Sequence, residues 1–358
     1  MYYRNVDGCK ESMFQQEIKV RDRIIGDKSR SYVIAETACA HDGEKEKAMG
    51  LVRAASEADS DAVQLQLFSA NHQVAPTHQL YDLFCKLELE ASDWREIFEL
   101  ARGFELAIFA FTYDIPSLEL ALELGIDGIK LSSADLSNPD ILQLAAQSGL
   151  PITVGTGAST IDEIWDALRR IEEAGGNKVI LMHGVQNFPT ALEDANIRRI
   201  QLLQRVFQLP VGYQDHTDAE LPVSKLIDLA AVGMGACIIE KHITIDRSEK
   251  GTDYQAALEP AEFKQFVDMV QQTSIALGHD SLSGLTESDL RYRQFQKKRI
   301  VAARTLDEGA ILSSQDVVFL RHDDLAGLSP SDLPKLLNKR IIRKIDQYEL
   351  IMLNDLAD

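Results

Sequence analysis

Cysteine is scarce. The 358 residues hold four, Cys9, Cys39, Cys85 and Cys237, with no CxxC spacing among them. That scatter argues against a zinc knuckle or a disulfide framework and fits a reducing cytoplasm. Positive charge is short as well: 37 Lys and Arg stand against 56 Asp and Glu, a net charge of −19. A surface of that sign repels nucleic acid and anionic membranes, so an anionic substrate needs a local cationic pocket. No apolar run approaches bilayer-spanning length, and residues 1–30 are polar, without the apolar core of a secretory signal. The length allows one large domain plus a small one.

A regular alternation is present from residue 31 onward. Short apolar runs rich in β-branched residues (32–36, 62–68, 107–112, 128–132, 151–155, 178–183, 210–214 and 236–242) are each followed by a longer amphipathic segment. The helical segments are 44–58, 92–103, 115–124, 138–147, 160–174, 195–207, 219–232 and 260–277, several with capping residues such as Ser159-Thr160 and Asn138-Pro139. Eight strand-helix units over about 250 residues predict a TIM (β/α)8 barrel. An open doubly wound sheet is the alternative, disfavoured because no glycine-rich dinucleotide turn follows the first strand. Residues 1–30 read as a hairpin-like cover, 31–278 as the barrel, 279–298 as a linker, and 299–358 as a small second domain with strand-like runs.

In such a barrel the chemistry sits where strands end. The seventh and eighth units read strand, helix, strand from Val211 to His242, and each strand ends in a histidine, His216 and His242. A right-handed parallel crossover brings both to one rim. Beside Asp215 and Glu240 they either hold one divalent cation or act as ordinary strand-end histidines. Lys130, flanked by apolar residues in the fourth strand, is either an inward cation for a carboxylate or phosphate, or a solvated strand-end lysine; Ser132 and Ser133 favour the anion. Glu36 ends the first strand and either positions a hydroxyl or moves a proton, or closes a salt bridge across the mouth; Asp135 and Glu240 carry the same ambiguity. Gly155-Thr156-Gly157 before a capped helix is a weak anion cradle.

Taken in order, Ile34-Ala35-Glu36 with His41-Asp42-Gly43, Lys86-Leu87-Glu88-Leu89, Lys130 with Ser133, Thr156-Gly157, Asn187-Phe188-Pro189, Asp215-His216-Thr217, Glu240-Lys241-His242 and Leu258-Glu259-Pro260 resemble the sialic acid synthase family. These enzymes condense phosphoenolpyruvate (PEP) with acylamino sugars to make nonulosonic acids. The resemblance implies a C-terminal antifreeze-like (SAF) domain and a divalent metal on His216 and His242, usually manganese, with magnesium or cobalt as alternatives. It further implies that Lys130, Ser132 and Ser133 contact PEP, that Glu36 and Asp135 act in catalysis with Lys130, and that Gln66, Thr112, Thr156, Gln186, Phe188, Asp215, Glu240 and Asp253 line the substrate site. Arg321 matches an arginine that enters the other subunit's barrel, which implies a domain-exchanged homodimer. The chain departs from the family at Gln64 (a PEP-binding lysine), Gly155 and Gln214 (serines), Gly184-Val185 (Cys-Thr) and Tyr113-Asp114 (Pro-Phe). Two further readings follow: a relative using another donor in aldolase or lyase chemistry, and a non-catalytic sugar-binding relative.

Overall fold

The computed structural model describes residues 14–278, 284–324 and 326–358. Two short strands come first. β1 (Ile18–Val20) and β2 (Arg23–Ile25) pair antiparallel, with Ile18 opposite Ile25. The β-branched runs then become the staves of the barrel: β3 (Tyr32–Glu36), β4 (Ala62–Leu67), β5 (Ala107–Thr112), β6 (Gly128–Leu131), β7 (Ile152–Gly155), β8 (Val179–His183), β9 (Val211–Asp215) and β10 (Ile238–His242). All eight are parallel in sequence order, and β10 pairs with β3 to close the ring. The TIM-barrel expectation is met.

The connecting helices are α1 (Lys45–Glu57), α2 (Ala70–Gln73), α3 (Tyr81–Leu87), α4 (Ala91–Gly103), α5 (Ile115–Leu124), α6 (Pro139–Gln147), α7 (Ile161–Glu173), α8 (Arg199–Phe207), α9 (Ser224–Gly233) and α10 (Pro260–Leu277). Their starts follow from local chemistry. Asp114 and Asn138 cap α5 and α6 ahead of a proline in the first turn, and Thr160 with Glu163 forms a capping box on α7. Two expected helices are shorter than the pattern suggests. In 195–207 the left-handed Asn196 breaks the run and α8 starts at Arg199; in 219–232 Pro222 lies before α9, which starts at Ser224. The helices α2 and α3, in the loop after β4, have no counterpart in the periodicity.

Strand alternation sorts the side chains into two cores. Outward residues such as Val33, Val63, Ile108, Ile129, Val154, Leu181, Val211 and Ile239 pack against the helices. Inward residues Tyr32, Ile34, Ala62, Ala107, Phe109, Ile180, Met182 and Ile238 form a separate cluster with Ile18, Val20 and Ile25 of the hairpin. The hairpin therefore stoppers the N-terminal end of the barrel with apolar side chains, and polar inward residues begin only above this layer.

The chain divides into two units, Met1–Gly278 and His279–Asp358. The stretch read as a linker contains a helix, α11 (Glu287–Gln296), started by a Thr286–Asp289 capping box. The second unit pairs β11 (Arg299–Ala302) with β12 (Val317–Leu320) and β13 (Arg340–Ile341) with β14 (Leu356–Ala357) around Ile300, Leu312, Ile341, Ile345 and Ile351.

Candidate active site

Above the apolar stopper, the inward positions of β3, β4, β6, β9 and β10 are polar. Glu36 is buried and accepts hydrogen bonds from the Ala38 backbone at 2.6 Å, from Gln66 Nε2 at 3.0 Å and from Gln64 Nε2. The register explains the grouping, since Glu36 lies beside Gln64 across the β3–β4 pair. Burial first, and then the charge of Glu240, push the Glu36 carboxyl up to about 8. A carboxyl held there carries a proton at neutral pH and can give it up or receive it.

Lys130 points into the same space. Its Nζ donates to Glu240 Oε2 at 2.5 Å and to Gln214 Oε1 at 2.7 Å, and stands 5.5 Å from the centre of the Phe111 ring. With both side chains of the ion pair almost wholly enclosed, the solvated-lysine alternative falls away.

His216 and His242 meet at the rim with ring centroids 5.1 Å apart and planes near perpendicular, and Phe188 packs on both. His216 Nδ1 lies 2.7 Å from the Val185 carbonyl oxygen. A carbonyl only accepts, so Nδ1 carries the proton and Nε2 keeps its lone pair. His242 Nδ1 is buried without a partner among the described residues. Desolvation lowers both imidazoles below the usual histidine range, with His216 adding to the effect at His242. Two neutral imidazoles with free nitrogens at one rim fit a divalent cation, the remaining positions being left to water or substrate. Among the described residues no group of three or more His, Cys, Asp and Glu side chains is arranged to hold a metal.

Other expected site residues fall in several places. Gln66 faces Glu36 and also accepts from Cys39 Sγ at 3.4 Å. Asp253 sits in a left-handed turn; burial first, and then the charge of Asp253, raise the Cys39 thiol, and burial raises the Asp253 carboxyl itself. Ser132 caps the short turn Ser133–Asp135 by accepting from the Ala134 backbone, and both serines stay partly accessible beside Lys130. Asp135 accepts from Asn138 Nδ2 at 3.2 Å, and burial raises its carboxyl. The Thr156 hydroxyl is spent on the Met182 carbonyl at 3.0 Å. Gln186 and Phe188 are exposed on the loop after β8. Arg321 is exposed in the second unit, directly after β12.

Two residues are corrected. Asp215 does not face the lumen: alternation turns it, with Tyr213 and Lys241, toward the helices, where it is completely buried and bound to Lys241 and Thr217. Thr112 falls on the helix side with Ile108 and Ala110, fully buried and with its hydroxyl unpartnered among the described residues. Parity along each strand, legible in the sequence, separates both from the inward Gln214 and Phe111. His183, another strand-end polar residue, also faces outward and contacts the Ala195 carbonyl at 2.9 Å.

The motif His41-Asp42-Gly43 has a structural cause. Gly43 adopts φ +80°, and a Cβ there would lie 2.1 Å from the Lys86 carbonyl oxygen, so only glycine lets the loop after β3 meet the Lys86-Leu87 segment.

A family model described as the NeuB family matches residues 51–281. This chain belongs to the NeuB family. Among relatives, an N,N'-diacetyllegionaminic acid synthase of Legionella pneumophila is 32% identical over 83% of this chain and 86% of its own. The human N-acetylneuraminate-9-phosphate synthase is 26% identical over 92% and 94%. In structure, an N-acetylneuraminic acid synthetase from Leptospira borgpetersenii, crystallised with citrate, aligns with a TM-score of 0.72 at 29% identity, covering 78% of this chain and 96% of its own. The NeuB match spans most of the barrel, including Lys130, His216 and His242. No helix among the described residues is long and apolar enough to cross a membrane.

Proposed function

We propose that this protein condenses phosphoenolpyruvate with the aldehyde of an open-chain acylamino sugar of the N-acetylmannosamine kind, giving a nonulosonic, sialic-acid-like acid and phosphate. The observation that carries the reading is the pair of neutral imidazoles, His216 and His242, set beside a buried lysine and a carboxyl with a raised pKa. A divalent cation held there, manganese before magnesium or cobalt, would supply Lewis-acid polarisation of the aldehyde. In the reaction the C2=C3 electron pair of the donor forms the bond from C3 to the aldehyde carbon, whose oxygen takes a proton. Water adds at C2 with loss of a proton, and the C2–O bond to phosphate then breaks, phosphate leaving as C2 becomes the ketone.

The chain's own groups divide the remaining work. Lys130, with Ser132, Ser133 and Gln214 nearby, offers the donor an ammonium and neutral hydrogen-bonding groups. Glu36, pushed up to about 8, is suited to move a proton near neutral pH, and Asp135, whose carboxyl burial raises, offers a second acid or base. Gln66, Asp253, Gln186 and Phe188 would read the sugar, and Glu240 would return Lys130 to its paired state between turnovers. The second unit, read as an antifreeze-like (SAF) domain, would bring Arg321 into the partner's site in a domain-exchanged homodimer.

A second reading keeps the aldehyde chemistry with a less charged donor. One observation favours it: Glu240 already neutralises the buried Lys130 ammonium. The test is phosphate release from phosphoenolpyruvate with manganese across a panel of aldoses and acylamino hexoses. Release that needs both metal and one sugar supports the synthase. No release, with phosphoenolpyruvate also failing to protect against thermal unfolding, rejects it and moves the search to other donors.

A further inference from the structure

Behind the two histidines, on the helix side of the barrel wall, lies a fully buried ionic cluster that the proposed chemistry does not use. Lys241 Nζ donates to Asp215 Oδ2 and, at 3.1 Å, to Asp228 Oδ2 on α9, with Phe266 of α10 beneath it at 5.8 Å. None of the three charged side chains is exposed. As a stability device this is a poor choice, because taking a lysine and two carboxylates out of water costs more than apolar residues of the same size would. What the cluster does supply is register.

Lys241 and Asp215 are paired across the β9–β10 ladder, and each immediately precedes a histidine. The Asp215 carboxylate also grips the residue beyond His216: it accepts from the Thr217 backbone N–H at 3.2 Å and from the Thr217 hydroxyl at 2.8 Å. The Tyr213 hydroxyl donates to it as well, at 3.0 Å. His216 is therefore held between two residues fixed by one carboxylate, its own carbonyl accepting from the Thr190 N–H at 2.7 Å. Asp228 adds the helix that joins the two strands, and its other oxygen has no partner among the described residues.

We infer that Asp215, Lys241 and Asp228 form a positioning clasp that sets the spacing and aim of His216 and His242 from behind the barrel wall. The inference rests on the two-histidine reading given above. These are positioning residues: they touch neither substrate nor metal, and act by fixing the strand ends from which the imidazoles project. Groups that orient metal ligands commonly govern affinity by about 10- to 100-fold.

The test uses the full chain and cobalt(II), read by its visible absorption. The triple variant Asp215→Asn/Asp228→Asn/Lys241→Met removes all three charges together and strands none. The clasp predicts a folded protein that binds cobalt about 10- to 100-fold more weakly, with an altered ligand-field band. Leu142→Ala, in α6 on the far side of the barrel, serves as a control expected to lower the Tm without changing cobalt affinity. A folded triple variant with wild-type affinity and spectrum overturns the inference. Should the triple variant not fold, Thr217→Val decides in its place: weakened cobalt binding supports the clasp, and unchanged binding overturns it. Wild-type protein that binds no cobalt rejects the two-histidine reading itself. The clasp is then judged in the metal-free protein by the His216 Nδ1–H resonance, which must shift in the variants as its bond to Val185 loosens; an unchanged resonance overturns it.

Discussion

Gly184 and Gln214 share one small volume at the barrel mouth: a Cβ on Gly184 would lie 2.2 Å from Gln214 Cγ and 2.5 Å from the Gln214 carbonyl oxygen. The glycine makes room for the long amide that accepts from Lys130 at 2.7 Å. Gly184→Ala should therefore destabilise the protein by about 1–3 kcal/mol through overpacking. Gln214→Ser in the same chain should recover only part of that, because the backbone clash remains. Urea unfolding of the two single variants and the double variant measures the coupling; strict additivity would show that the two positions do not compete for space.

The Lys130–Glu240 pair gives a second prediction. Both side chains are almost wholly enclosed, so removing one partner leaves a buried charge. Lys130→Met should cost about 3–5 kcal/mol, and Lys130→Met/Glu240→Gln distinctly less, since neither retains an unpaired charge. Chemical denaturation at neutral pH checks both. Equal losses in the single and double variants would mean that water or a neighbour already compensates Glu240.

Most of the fold is legible in the sequence because a barrel repeats one simple pattern. The runs at 32–36, 62–68 and 178–183 are short, largely apolar and each followed by a longer amphipathic segment, and tertiary packing only confirms what they prefer. Apolar periodicity overextends the helix at 195–207 because it does not register a single left-handed residue, Asn196, inside an otherwise suitable run. At the site, residue type and strand position suffice to find His216, His242 and Lys130. Treating every polar strand-end residue as lumenal misplaces Asp215, which alternation turns outward with Lys241. Asp228 carries no local signal: an aspartate in an amphipathic helix reads as solvated until the Lys241 that it meets is known. The Gln64–Glu36 bond depends on β3–β4 register, which the sequence does not print.

Glu36 makes the metal-free protein sensitive to pH in a defined direction. Its carboxyl is raised from 4.5 to about 8, by burial first and by Glu240 second. A carboxyl raised in the folded state contributes stability that is fully present below about pH 4.5 and is lost as pH climbs through about 8, because ionisation is easier in the unfolded chain. Glu36→Gln removes the titration, and its amide can serve the Gln64 Oε1 that otherwise lacks a partner among the described residues. Thermal unfolding from about pH 5 to about pH 8.5 should show the variant gaining on the wild type by about 3 °C or more as pH rises. Parallel curves would mean that Glu36 is already ionised at the acid end.

The last prediction turns on Gln64, which donates to Glu36 from the inward face of β4. If phosphoenolpyruvate is the donor, this position lies where a second ammonium would serve a multiply charged ligand. Gln64→Lys should fold, because the new cation meets the buried Glu36 carboxyl and draws its pKa downward. A charge-assisted contact is worth about 1.5–3 kcal/mol, so the KM for phosphoenolpyruvate should fall by about 10- to 100-fold, with the sugar KM little changed. Steady-state phosphate release at fixed manganese measures both constants. A lower sugar KM with no change for the donor would place Gln64 on the acceptor's side of the lumen. No change in either constant would mean that Glu36 absorbs the added charge, and the paired lysine at position 130 would then stand as the barrel's cationic contact for its donor.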